Sequence, residues 1–584
     1  MLKLMKNLRK KDYVYILISI ILIVTQVWLE LKMPDYMSKV TVLTQTEGSD
    51  INEILLNGLY MMICAFLSLM DAIIVGYLIA NVSASFSLNT RKKLFEKVEN
   101  LSIAEVKQFE VSSLITRTTN DITQIEMLIG MGLQLLIKAP TTAIWAITKI
   151  LNKNFTWSMA TLIAVVFLLT VVTILTIIVV PKFKILQKLT DKLNNVTREN
   201  LKGIRVVRAF NAEKYQEDKF DSVNTKLTKQ QMFNQRMFSL MHPTMYLTLH
   251  TLTLSIYFIG ALLIKDSILS NKITLFGDMV VFSSYAMQVI FSFLMLALVF
   301  MMIPRASVSA KRINEVLDTK ISLEDGTIDK SDNLGIVEFK NVSFKYPDAE
   351  EYILENISFK VEKGQTVAFI GSTGSGKSTL INLIPRFYDV TDGEVLVDNI
   401  NVKDYKLEHL YNKLGYVSQK AIMFDETVKN NVAYGENGKK KNEELIKKAI
   451  EVAQGKEFVE KLDDKYNSHI SQGGSNISGG QKQRLSIARA IARDPEIYIF
   501  DDSFSALDYK TDSLLRKSLK KHTKDATILI VAQRIGTIMN ADKIIVLDEG
   551  KCVGEGTHKE LLKTCEVYKQ IALSQVTKEE LENA

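Results

Sequence analysis

The sequence contains six long apolar segments before Pro304, and these segments restrict its fold more than any other feature. A helix needs about 20 apolar residues to cross the hydrocarbon core of a bilayer. The fourth segment is the clearest, with no charged residue from Phe155 to Val180. The N-terminal part is therefore predicted to be an all-α membrane domain of six helices. The predicted spans are Val14–Leu31, Ile54–Ala80, Met127–Ile147, Phe155–Val180, Met237–Ile264 and Met279–Ile303.

The chain has 584 residues, which is too long for a single hydrophobic core. Hydrophobic residues make up 47% of it and charged residues 23%, but charged residues dominate only after Ile303. The basic N-terminus followed by the apolar run Val14–Leu29 resembles a secretory signal. That run ends at Trp28, Glu30 and Lys32 without a small-residue cleavage site, so we interpret it as an uncleaved first helix.

The distribution of Lys and Arg predicts which loops face the cytoplasm. The N-terminal tail and the long segments 87–126 and 182–236 are basic, whereas the first loop is mainly acidic. Six crossings that begin in the cytoplasm return the polar C-terminal part to the cytoplasm. Basic residues beside membrane spans explain the net charge of +7, so we expect no nucleic-acid partner.

A short apolar strand ending at Ile370 is followed by a phosphate-binding P-loop pattern. In such a loop, glycines let backbone N–H groups curl around phosphates, and the next helix adds the positive end of its dipole. Lys377 would reach the β- and γ-phosphates of ATP, and the Ser378 hydroxyl would bind Mg²⁺. Ile497–Asp501 is an apolar strand that ends in an acid, which is the Walker B arrangement for Mg²⁺. The predicted cofactors are therefore ATP and Mg²⁺. The residues of this loop expected to contact ATP are Gly371, Ser372, Thr373, Gly374, Ser375, Gly376, Lys377, Ser378 and Thr379.

Further motifs resemble those of exporter-type ABC transporters. The run Ile477-Ser478-Gly479-Gly480-Gln481 resembles the ABC signature, with Ile in place of the usual Leu. Gln419 resembles the Q-loop residue that senses Mg²⁺, and Tyr346 resembles the aromatic residue that stacks on adenine. Ser505–Asp508 resembles the D-loop. The segments 91–95, 117–121 and 203–210 resemble the intracellular segments that end in coupling helices in this family.

This resemblance implies a multidomain membrane protein. A six-helix exporter-type transmembrane domain (1–318) and a linker (319–335) precede an α/β P-loop ABC ATPase domain (336–584). It implies that Ser378, Gln419 and Asp501 contact Mg²⁺. The chain is expected in the cell membrane, with its ATPase domain in the cytoplasm. An unrelated P-loop fold is the alternative.

The resemblance also implies a partner. In this family two ATPase domains close head to tail, and each ATP lies between one P-loop and the other chain's signature. Signature residues would therefore contact the partner's ATP, with Ser478 and Gly480 facing its γ-phosphate. The implied partner chain is a second homologous ABC half. The other partners are the lipid bilayer and an amphipathic small-molecule or lipid substrate.

The sequence departs from the family pattern at the site that activates water. The family has a Glu after the Walker B Asp, but this chain has Asp502, which is one methylene shorter. Positioning errors of about 1 Å cost on the order of 10²-fold in rate. The family's switch His is Gln533, which cannot carry a proton or a positive charge. Gln472 replaces a Glu that usually lies shortly before the signature.

These departures resemble the degenerate-site subunit of bacterial heterodimeric multidrug ABC exporters. The predicted catalytic residues are then Asp502, Gln533 and Gln419. Three alternatives stay open: a slow homodimeric exporter that uses Asp502, a mainly regulatory nucleotide-binding subunit, and an uptake system, to which no feature points.

Asp71 and Lys138 fall near the middle of the second and third spans. An ionised group is costly there unless it is paired or reached by water. The two side chains either contact substrate, or pair with each other, or face a water-filled vestibule.

Overall fold

The computed structural model describes residues 2–46, 48–151, 155–265, 267–332, 334–435, 442–523 and 525–575. The chain divides into two compact units. The first unit comprises Met1–Glu99 and Val111–Thr319, and the second comprises Asn100–Glu110 and Lys320–Ala584. The segment at 100–110 lies between membrane helices in the chain but belongs to the second unit. The predicted boundaries instead assigned this segment to the transmembrane domain (1–318).

Among the described residues of the first unit, six helical stretches are long and apolar enough to span a membrane, as predicted. Each contains one of the predicted apolar segments. Most of them also continue well beyond the length that a span requires; Ile51–Glu99, for example, has 49 residues. The basic segments after the second and fourth spans are therefore helical extensions rather than irregular loops. The six stretches are Lys10–Gln45, Ile51–Glu99, Val111–Leu151, Phe155–Lys202, Glu213–Lys265 and Lys272–Asp318.

Large buried side chains pack between the helices of the first unit. Trp157, Phe282 and Tyr285 are almost completely buried, and the rings of Trp157 and Phe282 lie 5.4 Å apart. Two π-helical turns, Arg117–Asp121 and Leu128–Gly132, interrupt the third stretch. The helices up to the end of this unit, with α4 in the second unit, are α1 (Leu2–Met5), α2 (Lys10–Gln45), α3 (Ile51–Glu99), α4 (Ile103–Phe109), α5 (Val111–Thr116), α6 (Ile122–Met127), α7 (Leu133–Leu151), α8 (Phe155–Lys202), α9 (Ile204–Ala209), α10 (Glu213–Ser239), α11 (Met241–Lys265) and α12 (Leu269–Asp318).

Of the alternatives for Asp71 and Lys138, their pairing with each other is wrong. The Lys138 ammonium lies 2.8 Å from the Glu30 carboxylate, and the Ser68 hydroxyl lies 3.4 Å from the same Glu30 oxygen. The reason is that α2 packs against both α3 and α7, so its own carboxylate reaches Lys138. One carboxylate oxygen of Asp71 is buried and has no hydrogen-bond partner among the described residues.

The second unit contains a six-stranded sheet in the order β12-β11-β3-β10-β9-β6 and a four-stranded antiparallel sheet in the order β2-β1-β4-β5. In the larger sheet β11, β3, β10, β9 and β6 are parallel, and β12 is an antiparallel edge strand. A two-stranded sheet joins β7 and β8. The strands are β1 (Val337–Phe344), β2 (Leu354–Val361), β3 (Thr366–Gly371), β4 (Asp392–Val397), β5 (Ile400–Asn401), β6 (Leu414–Val417), β7 (Glu426–Thr427), β8 (His469–Ile470), β9 (Ile497–Asp501), β10 (Thr527–Val531), β11 (Lys543–Asp548) and β12 (Lys551–Gly556).

Every residue of β9 and β10 is buried, which is typical of parallel strands covered by helices on both faces. Together with the six membrane helices, this unit confirms the predicted combination of an all-α membrane domain and an α/β domain. Its remaining helices are α13 (Lys377–Leu383), α14 (Leu407–Lys413), α15 (Val428–Val432), α16 (Glu443–Val452), α17 (Lys456–Glu460), α18 (Gly479–Arg493), α19 (Tyr509–His522), α20 (Ile535–Ile538), α21 (His558–Thr564) and α22 (Glu566–Leu573).

The parallel pairing decides where the polar loops meet. In register, Val531 of β10 pairs with Asp501 of β9, and Val417 of β6 pairs with Phe500. The carboxyl ends of β3, β6, β9 and β10 therefore lie at one edge of the sheet. In open α/β sheets this edge is where ligands bind.

Candidate functional site

The loop after β3 has a backbone that only glycine accommodates well. Gly374 and Gly376 have φ of +88° and +91°, in the left-handed region. A Cβ on Gly376 would lie 2.7 Å from a methyl carbon of Leu354, and a Cβ on Gly371 would lie 2.0 Å from the Leu547 carbonyl oxygen. The tight curl expected of a phosphate-binding loop is thus present at the predicted residues.

The Lys377 ammonium lies inside this loop. It donates hydrogen bonds to the carbonyl oxygens of Ser372 and Gly371, at 2.6 and 3.0 Å, and to the Ser375 hydroxyl at 3.2 Å. Burial lowers the pKa of Lys377, and the nearby carboxylates Asp501 and Asp502 oppose that effect. A cation held among carbonyl oxygens and acids is well placed to contact the phosphates of a nucleotide.

Ser378 and Asp501 lie together at the base of the loop. The Ser378 hydroxyl donates a hydrogen bond of 2.8 Å to the Asp501 carboxylate, which is 6% exposed. Burial raises the pKa of Asp501, and the Ser378 hydrogen bond and Lys377 partly offset this. Hydroxyl and carboxylate oxygens are the ligands that Mg²⁺ prefers, and a cation would relieve the cost of burying this carboxylate. The two residues therefore fit the predicted metal site.

Asp502 receives two amide hydrogen bonds on one carboxylate oxygen. Gln419 donates to its Oδ2 at 3.2 Å and Gln533 donates to the same atom at 2.9 Å. The three residues predicted to act in catalysis are thus brought together from the ends of β6, β9 and β10. Asp502 has φ of +47°, is 8% exposed, and has a pKa raised by burial.

Tyr346 stands beside the first turn of α13. Its hydroxyl lies 3.0 Å from the Thr379 hydroxyl, and the rings of Phe344 and Tyr388 meet it edge-on at 5.0 and 5.2 Å. Its side chain is partly exposed. These contacts fix an aromatic ring next to the phosphate-binding loop, as expected of a platform for a base.

The signature residues lie at an exposed helix N-terminus. Ser478 caps α18, with its hydroxyl accepting from the Gln481 N–H at 3.3 Å and the Gln481 side chain accepting from the Ser478 N–H at 2.8 Å. Ser478 and Gly479 are exposed, and a Cβ on Gly479 would meet nothing within 4 Å. Among the described hydrogen bonds, none joins this end of α18 to the P-loop. An exposed helix N-terminus suits an anion that another chain presents.

Gln472 is also exposed, in a 3₁₀ turn shortly before the signature. The hydrogen bonds described for this turn involve its backbone and Ser471 rather than the Gln472 side chain.

Sequence reasoning missed Lys107 and Tyr388. The Lys107 ammonium of α4 donates a hydrogen bond of 3.0 Å to the Tyr388 hydroxyl and lies 5.4 Å from the centroid of the Tyr346 ring. Spacing along the chain gave no signal, because Lys107 precedes the whole ATPase part of the sequence.

Comparisons with known proteins agree with this geometry. A family described as the ABC transporter transmembrane region matches residues 14–293, and the ABC transporter family matches residues 354–505. An uncharacterized ABC transporter ATP-binding protein of Bacillus subtilis is 36% identical over 96% of both chains. An ATP-dependent lipid A-core flippase of Haemophilus influenzae is 32% identical over 87% of this chain and 88% of its own.

The same fold occurs in a solved bacterial Atm1-family ABC exporter with ATP bound. The TM-score is 0.82 at 22% identity, and the match covers 97% of this chain and 100% of the other. Six membrane-spanning helices, a phosphate-binding loop at the sheet edge and an exposed signature helix occur in one chain, and the family matches cover both of its parts. The chain therefore belongs to the ABC transporter family, as a multi-pass membrane protein with a cytoplasmic ATPase domain and an exporter fold.

Proposed function

We propose that this chain is one half of a heterodimeric, ATP-driven exporter of amphipathic drugs or lipids. In this proposal it contributes a degenerate ATP site and an intact signature. The observation that carries the proposal is the arrangement around Asp502, whose Oδ2 accepts hydrogen bonds from both Gln419 and Gln533. The relatives named lipid A-core flippase support the amphipathic or lipid class of substrate.

The chain's own site is built to bind ATP. Tyr346 offers a ring for the base, Lys377 offers a cation to the phosphates, and Ser378 and Asp501 would hold Mg²⁺. When bound, Mg²⁺ neutralises phosphate charge that develops during hydrolysis. Nothing in this part of the site departs from the family pattern, so tight binding is expected.

Hydrolysis at this site should be slow. A general base must reach the water that it deprotonates, and Asp502 is one methylene shorter than the Glu of the family. The Asp502 oxygen that faces Gln533 already accepts two hydrogen bonds. Gln533 is neutral, so it can neither carry a proton nor stabilise charge on the γ-phosphate as a cation would. ATP would therefore remain bound for longer than at a complete site.

The signature supports a productive role for this chain in a second site. Ser478 and Gly480 lie at an exposed N-terminus of α18, and no described hydrogen bond joins them to the P-loop. A homologous partner that supplies Glu and His at the positions of Asp502 and Gln533 would form a complete site against this signature. A homodimer would contain two impaired sites and no complete one.

The test is ATP hydrolysis by the chain alone and by the assembled pair, both in lipid nanodiscs. For the chain alone we expect little ATP hydrolysis and no stimulation by amphipathic compounds. After co-purification with a second ABC half, we expect ATP hydrolysis that amphipathic compounds stimulate. Vigorous, substrate-stimulated hydrolysis by the chain alone would favour the homodimeric exporter instead. If ATP binding to this chain changes transport by the pair but this chain's signature is not needed for transport, the chain is a regulatory subunit instead.

Within the pair, Lys377→Ala in this chain should lower turnover only in part, because hydrolysis takes place at the other site. The equivalent change in the partner's P-loop should abolish turnover. Equal losses in the two variants would rule out the asymmetric arrangement.

A further inference from the structure

Lys107 of α4 contacts the aromatic cluster beside the ATP site through three interactions. Its ammonium donates a hydrogen bond of 3.0 Å to the Tyr388 hydroxyl. It lies 5.4 Å from the centroid of the Tyr346 ring and 5.6 Å from that of Tyr388. A cation within about 6 Å of a ring centroid is attracted by the ring's quadrupole. One charged side chain thus holds both tyrosines.

Lys107 carries its charge at neutral pH. Its hydrogen bond with Tyr388 raises the pKa of the ammonium, and this outweighs the opposing effect of burial. The two rings that it contacts also meet each other edge-on at 5.2 Å. The orientation of Tyr346 therefore depends on Tyr388 and on a cation that contacts both rings.

The start of α4 is fixed independently. Glu105 is 7% exposed, and its carboxylate accepts from the Ser102 N–H at 2.6 Å and from the Ser322 N–H at 3.2 Å. Ala104 packs against the hydrophobic cluster that contains Phe344. The helix is consequently anchored at its N-terminal end without Lys107, so removing the charge of Lys107 should leave α4 in place.

In the chain, α4 lies between two helices of the membrane unit. α3 ends at Glu99 and α5 begins at Val111, and both belong to the membrane unit. The eleven residues between them belong to the ATPase unit, Asn100–Glu110. The cation that contacts the base platform is therefore carried on the short connection between two membrane-spanning stretches.

We propose that Lys107 is a positioning residue for the nucleobase, and that through it base binding and the position of α4 depend on each other. The proposal rests on the role of Tyr346 as the base platform in the proposed function. Lys107 acts through the two tyrosines and not on the phosphates. Because coupling between two binding equilibria is reciprocal, a base that binds better with Lys107 in place also stabilises Lys107 and α4 in that position.

The test compares two ligands that share a phosphate chain, of which only one has a base. The full chain is purified in lipid nanodiscs, and ATP and inorganic tripolyphosphate displace a fluorescent nucleotide. Lys107→Met removes the charge and keeps the length of the side chain. We expect it to weaken ATP binding roughly three- to tenfold, as loss of a cation–π contact would. The affinity for tripolyphosphate should stay unchanged, and Lys107→Arg should restore ATP binding.

Two further variants separate positioning from a general effect on the fold. Lys345→Met is the matched control, because Lys345 lies over Tyr352, 5.8 Å from its centroid, rather than over Tyr346. It should leave both affinities unchanged. Tyr388→Phe removes only the hydroxyl that Lys107 contacts. It should also weaken ATP binding. The double variant with Lys107→Met should lose less binding free energy for ATP than the sum of the two single losses.

Each outcome decides between explanations. Equal weakening of ATP and tripolyphosphate by Lys107→Met would mean that Lys107 only supports the fold. If Tyr346→Ala weakens ATP binding but Lys107→Met and Tyr388→Phe do not, the platform stands and the role of Lys107 is wrong. If Tyr346→Ala leaves ATP affinity unchanged, the proposed platform itself is wrong.

Discussion

Asp502 and Gln533 are joined by a hydrogen bond of 2.9 Å, so the two departures from the family pattern act on one another. A Glu at position 502 would carry its carboxylate one methylene further from the backbone. A His at position 533 would add a group that can be cationic near neutral pH. Both features can be restored in the existing site, because Asp502 and Gln533 already occupy the ends of β9 and β10.

The double variant Asp502→Glu with Gln533→His should therefore raise ATP hydrolysis by the isolated chain, on the order of 10²-fold if positioning of the base is the main defect. Each single change should give a smaller gain. The measurement is phosphate release per bound nucleotide, with Lys377→Ala in the same background as the control that removes the phosphate contact. An unchanged rate in the double variant would show that these two residues are not what limits hydrolysis.

Among the helices, α2 contacts α7 through two ion pairs whose side chains are partly exposed. Its Glu30 accepts from Lys138 of α7 at 2.8 Å, and Asp35 accepts from Lys149 at 2.6 Å. Both carboxylates lie on the helix that packs against α3 as well as α7. Ion pairs inside a membrane domain cost desolvation, and removing one member leaves the other charge without compensation.

Lys138→Met should destabilise the membrane unit by about 2 kcal/mol, because the Glu30 carboxylate then lacks its cation. The double variant with Glu30→Gln should recover much of this loss. Thermal unfolding of the detergent-solubilised chain measures both. Lys92→Met is the matched control, since Lys92 and its partner Glu96 are 73% and 57% exposed, and it should change little. Additive losses in the Lys138 and Glu30 variants would show that the pair contributes no coupling.

For the whole molecule, the central feature is that the run predicted to be the signature lies at an exposed helix N-terminus. The N-terminus of α18 has exposed Ser478 and Gly479, and its N–H groups are available to an anion. ATP bound to a partner would supply that anion. Assembly would then depend on nucleotide, and each chain would affect hydrolysis at the other's loop.

Gly480→Ala tests this arrangement in the assembled pair. An added Cβ would lie 3.4 Å from the Ala506 carbonyl oxygen, so the chain itself tolerates it with little adjustment. Hydrolysis by the pair should nevertheless fall roughly tenfold to a hundredfold, because the methyl group shifts the partner's γ-phosphate. Gly58→Ala is the control, since a Cβ there would meet nothing within 4 Å. Full hydrolysis by a pair containing Gly480→Ala would contradict the assignment.

The sequence by itself determined the six spans, the α/β ATPase part and the residue types of the site. Each of these is a local property: apolar length decides a span, and the spacing of glycines around Lys377 decides a phosphate loop. The signature likewise could be located from a short run of residues, Ile477–Gln481. Such patterns need no knowledge of which distant residues meet.

Only the tertiary structure decided the contacts between elements that are far apart in the chain. Lys138 pairs with Glu30 and not with Asp71, because α2 packs against both α3 and α7. Lys107 reaches Tyr388 because the segment 100–110 packs within the ATPase unit. Gln419, Asp502 and Gln533 meet because parallel pairing places the ends of three strands at one edge. Such contacts depend on packing and strand order, which no local pattern of residues specifies.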